Sequence, residues 1–241
     1  MKFFLAIFII LFHSNIFAET THFCAHERAE RSEKGGTGYY WEVLQAVYNI
    51  EGASMTHDTV PFLRCLLMVD KKTASAAVSV FKTPQRSKKF TYPQSRLHYS
   101  SYGIARLKQT SFTQIGNIKG DVGLTRGYDF SAWLPASLTI QLVENTIQGV
   151  RMLKHKRFKY YADDIKDIVL AINQIQETPN NYVIDTFYTK DLYVVFTKDA
   201  RGQKLANMFD TGIRKIANNG TLQKLITKYK LTHSILNDFK R

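Results

Sequence analysis

Past its first eighteen residues the sequence has no apolar run near the roughly 20 residues that a bilayer-spanning helix needs, so nothing in that stretch reads as a membrane span. Cysteine is scarce, with Cys24 and Cys65 the only two. A structural zinc site wants four ligands, and "HFCAH", which sets His22, Cys24 and His26 on one side of an extended segment, would have to find partners elsewhere. No metal is expected. Low-complexity tracts and internal repeats are absent. Also missing are the G-x-S-x-G elbow, H-E-x-x-H, the phosphate-binding G-x-x-x-x-G-K-[ST] and the dinucleotide G-x-G-x-x-G. "GGTG" (35–38) lacks the strand before it and the spacing after it, and reads as a flexible turn. With no nucleophile paired to a base, the chain is not expected to be an enzyme or to hold a cofactor. Acidic residues are outnumbered, 20 against 33 lysines and arginines. The basic residues are scattered, without a long block or arginine-rich arm, which describes a basic soluble surface rather than a nucleic-acid binder.

What is present begins with "MKFFLAIFIILFHSNIFA" (1–18), one lysine ahead of an apolar run and then a short polar step to a small residue. These flanks predict a secretory signal peptide cleaved after Ala18, hence a periplasmic protein. Removing Lys2 leaves a formal +12, one less than the whole chain's +13. The remaining length suits one large domain or two ordinary lobes. In an oxidising compartment Cys24 and Cys65 are allowed to pair, but spacing alone leaves the pairing open.

Along the chain, "YYWEVLQAVYNIEG" has helical spacing at Tyr40, Leu44, Val47 and Glu51, and Gly52 ends it. "VPFLRCLLMVD" predicts a shorter helix opened by Pro61 in its first turn. "SAAVSVF" (75–81), "SYGIARL" (101–107), "DVGLT" (121–125), "LTIQLVEN" (138–145), "FKYYADD" (158–164) and "LYVVFT" (192–197) read as strands. "RGYDFSAWL" reads as a turn and helix start, and "IQGVRMLKH" (147–155) as a helix. In the tail, Leu205, Met208, Phe209, Ile213 and Ile216 share one helical face. Asn219-Gly220 supplies a left-handed stop, and Thr221 is placed to cap "LQKLITKYKL". Alternating strands and helices predict an α/β fold with mainly parallel sheets flanked by helices.

Several stretches bear on chemistry. Asp163 and Asp164, adjacent on a strand, point to opposite faces and so form no acid–base pair; the reading of these residues alone favours solvated carboxylates. "LTRGYDF" (124–130) ends a strand with free backbone N–H groups, and Gly127 allows close approach to an oxyanion. Tyr39, Tyr40, Trp41 and Phe62 either line a pocket or, as aromatics at helical spacing more often do, pack as core.

Taken in order, "GYYWEVLQAVYNIEG", "PFLRCL", "AAVSVFKTPQRSKKFTYP", "IKGDVGLTRGY", "RMLKHKRFKYYADD" and "ANMFDTGIRKIANNGTLQKLITKYKL" resemble the extracytoplasmic solute-binding proteins of family 3, which include polar amino-acid-binding proteins of ABC importers. The most specific pieces are "TPQR…FTYP", similar to the family's T-P-E-R…F-S-x-P-Y, and the closing G-x-L-x-x-I-x-x-K-Y. The resemblance implies a two-lobed periplasmic-binding-protein-like fold (type II) with two hinge crossings, lobe 1 spanning 19–103 plus 190–241 and lobe 2 spanning 104–189. It implies a small zwitterionic or carboxylate ligand held in the cleft, a monomer, and a membrane permease of an ABC importer as partner, with no nucleic acid. The alternatives are a ligand-sensing or interaction protein on the same fold without transport and, behind it, an enzyme acting on amino-acid-like substrates. Arg86 matches the arginine that grips the ligand's α-carboxylate, with Thr83 and Ser79 beside it. Thr125, Arg126, Gly127 and Tyr128 match the segment whose amides face the ligand, and Asp164, or Asp163 with a register slip, matches the acid that pairs with the ligand's ammonium. Tyr39 and Phe62 are the aromatic candidates. Two departures stand out: "CAHERAERSEKGGTG" replaces the family's Tyr-Pro-Pro-Phe-like stretch, and Phe81 stands where a small hydroxyl residue is usual. They leave open whether the ligand is more acidic or binding has been lost. If the leader is cleaved as read, mass spectrometry of the exported protein will find Glu19 at its N-terminus.

Overall fold

The computed structural model describes residues 20–231 apart from 113, 129, 131 and 132, together with 236 and 239. The leader and part of the expected "RGYDFSAWL" helix start lie outside these residues. Among the described residues no helix is long and apolar enough to cross a membrane.

The strands are β1 (Thr20–Ala25), β2 (Ser54–Thr59), β3 (Ala76–Phe81), β4 (His98–Leu107), β5 (Gly120–Thr125), β6 (Leu138–Val143), β7 (Tyr160–Asp164) and β8 (Tyr182–Phe196). The helices are α1 (Tyr39–Ile50), α2 (Phe62–Asp70), α3 (Pro84–Lys89), α4 (Thr146–Lys154), α5 (Ile165–Gln174), α6 (Ala200–Asn218) and α7 (Thr221–Lys228). The strands join in the order β2-β1-β3-β8-β4-β7-β5-β6. Pairing is parallel at both ends, among β1, β2 and β3 and among β5, β6 and β7. In the middle, β4 and β8 run antiparallel to each other and to their neighbours β7 and β3. These two strands carry the chain between the lobes, and their pairing shifts register between Tyr102 and Gly103. The lobe division read from the sequence, near residues 103 and 190, falls inside β4 and β8.

Each lobe has apolar clusters of its own. In the first lobe the stripe of α1 (Tyr40, Leu44, Val47, Tyr48) meets that of α6 (Leu205, Phe209, Ile213, Ile216). Each fully buried Leu, Ile or Phe there contributes about 1.5–3 kcal/mol. In the second, Val143, Val150, Leu153, Tyr161 and Ile168 fill one face of the sheet, while Val122, Leu124, Phe130 and Tyr160 share a cluster with Phe81 and Leu192 of the first lobe.

Several sequence expectations are corrected. Thr221 is the first residue of α7, not its cap; Gly220 (φ 83°) holds the cap position, and Asn219 accepts from the Thr221 N–H at 3.0 Å. Pro61 is the cap residue of α2 rather than part of its first turn. The segment around Arg86 forms the short helix α3. "LYVVFT" overlaps the end of the 15-residue β8, whose first part, YVIDTFYTKD, is half-exposed and mixes apolar with polar residues, so periodicity does not reveal it. β2 was missed for a similar reason: SMTHDT is an edge strand without an apolar face.

Cys24 and Cys65 form a disulfide, with Cα atoms 5.5 Å apart and 41 residues of sequence separation. It ties β1 to α2 inside a cluster with Val69, Ala77 and Val80. Closing a loop of that length restricts the unfolded chain by about 3–4 kcal/mol on the chain-entropy account. Replacing both cysteines by serine will therefore lower unfolding stability by up to that amount in urea titrations, and dithiothreitol will do the same to the unaltered protein.

Candidate functional site

Beside the paired strands β4 and β8, five chain segments converge: the β1–α1 loop, the start of α2, the β3–α3 turn, the end of β5 and the end of β7. Local sequence explains the β3–α3 turn. Thr83 caps α3, its hydroxyl accepting from the Arg86 N–H at 3.2 Å, and Pro84 occupies the first helical turn. This sends the Arg86 guanidinium over the rings of Phe62 and Phe81, 5.4 and 5.7 Å from their centroids. From there it donates to the Phe81 carbonyl at 3.5 Å and, across the cleft, to the Gly127 carbonyl at 3.3 Å. Gly127 has φ 85°, and a Cβ there would lie 2.7 Å from the Leu63 side chain, so only glycine lets the two lobes approach so closely.

Ser79 interrupts β3 with φ 67°, at an irregularity in pairing between Ala77 and Val80. Such a conformation is costly for a non-glycine residue and is characteristic of functional sites. Its hydroxyl accepts from Arg28 at 3.2 Å.

Arg28 was not among the residues singled out from the sequence, nor were Arg31 and Asp167. The β1–α1 loop makes a tight turn, with the Arg31 and Ser32 N–H groups donating to the Arg28 carbonyl and Glu30 at φ 59°. Both arginines enter the protein from this turn. Arg28 Nε donates to Asp167 at 2.7 Å, and its Nη2 lies 2.6 Å from Asp167 and 2.8 Å from Asp164. Arg31 grips Asp164 with both terminal nitrogens, at 2.8 and 3.1 Å. All four side chains are at least nine-tenths buried. Burial opposes each charge, yet the opposite charges win. Asp167 and Asp164 raise the Arg28 pKa, while Arg31 and Arg28 hold Asp164 well below the usual carboxylate range. Asp164 also caps α5, accepting from the Lys166 and Asp167 N–H groups. The only hint in the sequence was R-A-E-R in place of the family's aromatic stretch, a pattern that reads equally well as a solvated turn.

Asp163 points the other way, as strand alternation requires, but it is as buried as its neighbour: the two are 0 % and 1 % exposed, so neither is a solvated carboxylate. Asp163 accepts from the hydroxyls of Thr125, Thr146 and Tyr161 and from the Asp164 N–H. Burial, then the Asp167 charge, push its pKa up to about 6 against the donors that favour ionisation.

The structure brings Phe62, Ser79, Arg86 and Tyr128 of the expected residues around one inner cavity, together with Arg28, Phe81 and Tyr102. The cavity measures about 10 Å3, room for no more than a single water. Thr125 is bound to Asp163 instead, and Thr83 serves α3. Arg126 reaches the surface and pairs with Glu144 at 2.9 Å. Tyr39 packs against Tyr40, His98 and Tyr229 and does not line the cavity. Beside the inner cavity lies an open groove of about 870 Å3 between the segments that contain His26, Thr37 and Pro61 and those that contain Glu144 and Gln174. Arg28 borders both spaces. Among the described residues no cluster of His, Cys, Asp and Glu suits a metal.

The order of elements and the converging turns have a counterpart in known sequences: the family profile of the bacterial extracellular solute-binding proteins, family 3, matches residues 28–232. The chain belongs to that family. The match begins at Arg28 itself. No curated protein sequence matches the chain. Among solved structures, the fold is similar to a Salmonella typhimurium periplasmic binding protein described as highly arginine-specific (18 % identity, 88 % of this chain and 99 % of that one, TM-score 0.74). It is also similar to an ancestral amino acid-binding protein described as a precursor of cyclohexadienyl dehydratase (16 %, 87 % and 94 %, TM-score 0.71). A third is a histidine kinase sensor domain (11 %, 87 % and 95 %, TM-score 0.75). At these identities they establish the fold, and family 3 membership supports a solute-binding role.

Asp163 makes the site's chemistry measurable. Its folded pKa of about 6 exceeds the ordinary 3.8, so the folded state holds the proton more tightly. The stability this supplies is complete below about 3.8 and is lost as pH rises through about 6. In urea titrations between pH 4 and 7, Asp163→Asn will remove a decline on the order of 2 kcal/mol that the unaltered protein shows.

Proposed function

We propose that this chain is an exported, periplasmic solute-binding protein that captures a small carboxylate-bearing solute between its lobes and delivers it, as a monomer, to the membrane permease of an ABC importer. The observation that carries the reading is the setting of Arg86. A planar, permanently charged guanidinium stands on aromatic faces at the wall of the inner cavity and reaches the opposite lobe at Gly127. A bidentate donor in such a place suits a carboxylate. A ligand bound there touches both lobes, so its binding favours the closed form. Phe62 and Tyr128 supply the apolar walls, and Ser79 a hydroxyl.

A second reading, a ligand-sensing protein with the same cleft and no transporter, is favoured by one feature: Arg28 and Arg31 of the β1–α1 loop join Asp164 and Asp167 at the end of β7 and the start of α5. A solute whose contacts compete with this link changes how the lobes meet, which suits signalling as well as delivery. In either role the solute leaves unaltered.

A thermal-shift screen of the mature protein against amino acids, dicarboxylates and polyamines tests the proposal. A ligand at 100 times its dissociation constant stabilises the fold by about 2.7 kcal/mol. An acid that raises the melting temperature of the unaltered protein, but not of Arg86→Ala, is the expected result; a panel without any shift would refute it.

A further inference from the structure

We infer that the outer end of the second lobe docks on an anionic phospholipid membrane, where a lysine-lined groove takes the phosphate of a lipid. The groove measures about 670 Å3 and lies where β4 ends, β5 and β7 begin and α4 stops. A strand rises about 3.3 Å per residue, so β5, running from Gly120 to Thr125, sets the groove roughly 17 Å from the cleft. It is no part of the solute site.

Along the chain the basic residues are scattered, and folding gathers some of them here. Lys119 comes from the β4–β5 connection, Lys156 and Lys159 from the α4–β7 turn. Gly120 (φ 119°) leaves room for Lys159, whose Nζ lies 3.6 Å from where a Cβ would stand. Lys159 therefore lies against the residue that follows Lys119. Lys156 (φ 55°) turns the chain after α4, its N–H donating to the Leu153 carbonyl at 3.0 Å. All three lysines are exposed, and among the described residues none has a partner for its ammonium. No acid lines the groove among those residues: Asp121 on β5 is half-buried outside the lining, and Glu177 is paired with Lys154 at 2.6 Å. The rest of the lining includes the buried apolar side chains of Leu107, Leu153 and Phe158.

Such a surface attracts an anion, and the residue types and the sheet say which. The planar fork of arginine suits a carboxylate, whereas lysine serves phosphate as a point charge on a flexible stem. The groove is lined by lysines and by no arginine. β4, β7 and β5 are interior strands, so an extended peptide finds no free sheet edge there. On the turn beside the groove Lys154 and Arg157 are also exposed, which carries the positive surface beyond what one small ion would cover. A layer of lipid phosphates, whose negative potential draws basic clusters, matches that extent.

Co-sedimentation of the mature protein with vesicles at about 0.1 M salt tests the inference. Neither solute nor permease is present, so the result does not depend on the solute-binding reading. Vesicles of phosphatidylglycerol mixed with phosphatidylcholine should bind at least about tenfold more tightly than phosphatidylcholine alone. Lys119→Gln/Lys156→Gln/Lys159→Gln should lose most of that preference. Lys71→Gln/Lys88→Gln/Lys224→Gln, which removes the same charge from exposed lysines of the first lobe, should keep it. Equal binding to the two kinds of vesicle, or equal losses in the two variants, overturns the inference. So does a polyglutamate peptide or inorganic phosphate that binds the groove while the vesicles do not, since either names a different occupant. Should the groove variant fail to fold, acetylation of the unaltered protein decides. Anionic vesicles should shield Lys119, Lys156 and Lys159 from acetic anhydride and leave Lys71, Lys88 and Lys224 reactive; uniform reactivity overturns the inference.

Discussion

The lobes meet through the ion network of Arg28 and Arg31 with Asp164 and Asp167, and the geometry of the cleft depends on it. Four charges in a buried place are not in themselves a source of stability, since their desolvation is about as large as their attraction. Removing one partner is another matter, costing about 3–5 kcal/mol because a charge is left buried and alone. The network therefore specifies an arrangement more than it strengthens the fold. It orients Asp164 to cap α5, brings Arg28 against Ser79, and joins a loop of one lobe to a strand and helix of the other.

The consequence for function is energetic. A binding protein whose lobes separate freely can use most of its ligand contacts for affinity. Here parting the lobes means rehydrating four charges and giving up their contacts, and a solute must interact better with one arrangement than the other to shift the balance. The Arg86 bridge to the Gly127 carbonyl adds a second, weaker link at 3.3 Å. Between these two links the inner cavity is nearly filled by Phe62, Phe81, Tyr102 and Tyr128. Phe81 matters most, because its ring meets Tyr102 at 5.2 Å and Phe130 at 5.8 Å and lies under the Arg86 guanidinium. The residue that departs from the family's small hydroxyl is thus also the one that reduces the space for a ligand.

Much of the architecture was legible because local pattern and tertiary role agree there. The stripes of α1 and α6 are helical in sequence and pack on each other in the structure. β3 and β5 are short apolar runs that end at turns bordering the inner cavity, as the expectation for α/β folds has it. Elements escaped where the pattern is polar or mixed: β2 at the sheet edge, the first half of β8, and α3, which its Thr-Pro cap defines better than any periodicity. At the site, the order of motifs pointed to Arg86 and to the turn at Gly127. It could not point to Arg28, since a charged residue in a polar turn carries no sign of where its side chain goes.

By itself the sequence determined the alternation of strands and helices and the opposite facing of Asp163 and Asp164. Those follow from spacing, backbone preference and the two-residue period of a strand. Only the tertiary structure decided that Cys24 pairs with Cys65, that both aspartates are buried, and that two arginines from one tight turn satisfy Asp164. The reason is distance: burial and charge pairing bring together side chains more than 130 residues apart, as from Arg31 to Asp164, and no local rule of sequence records which of them will meet.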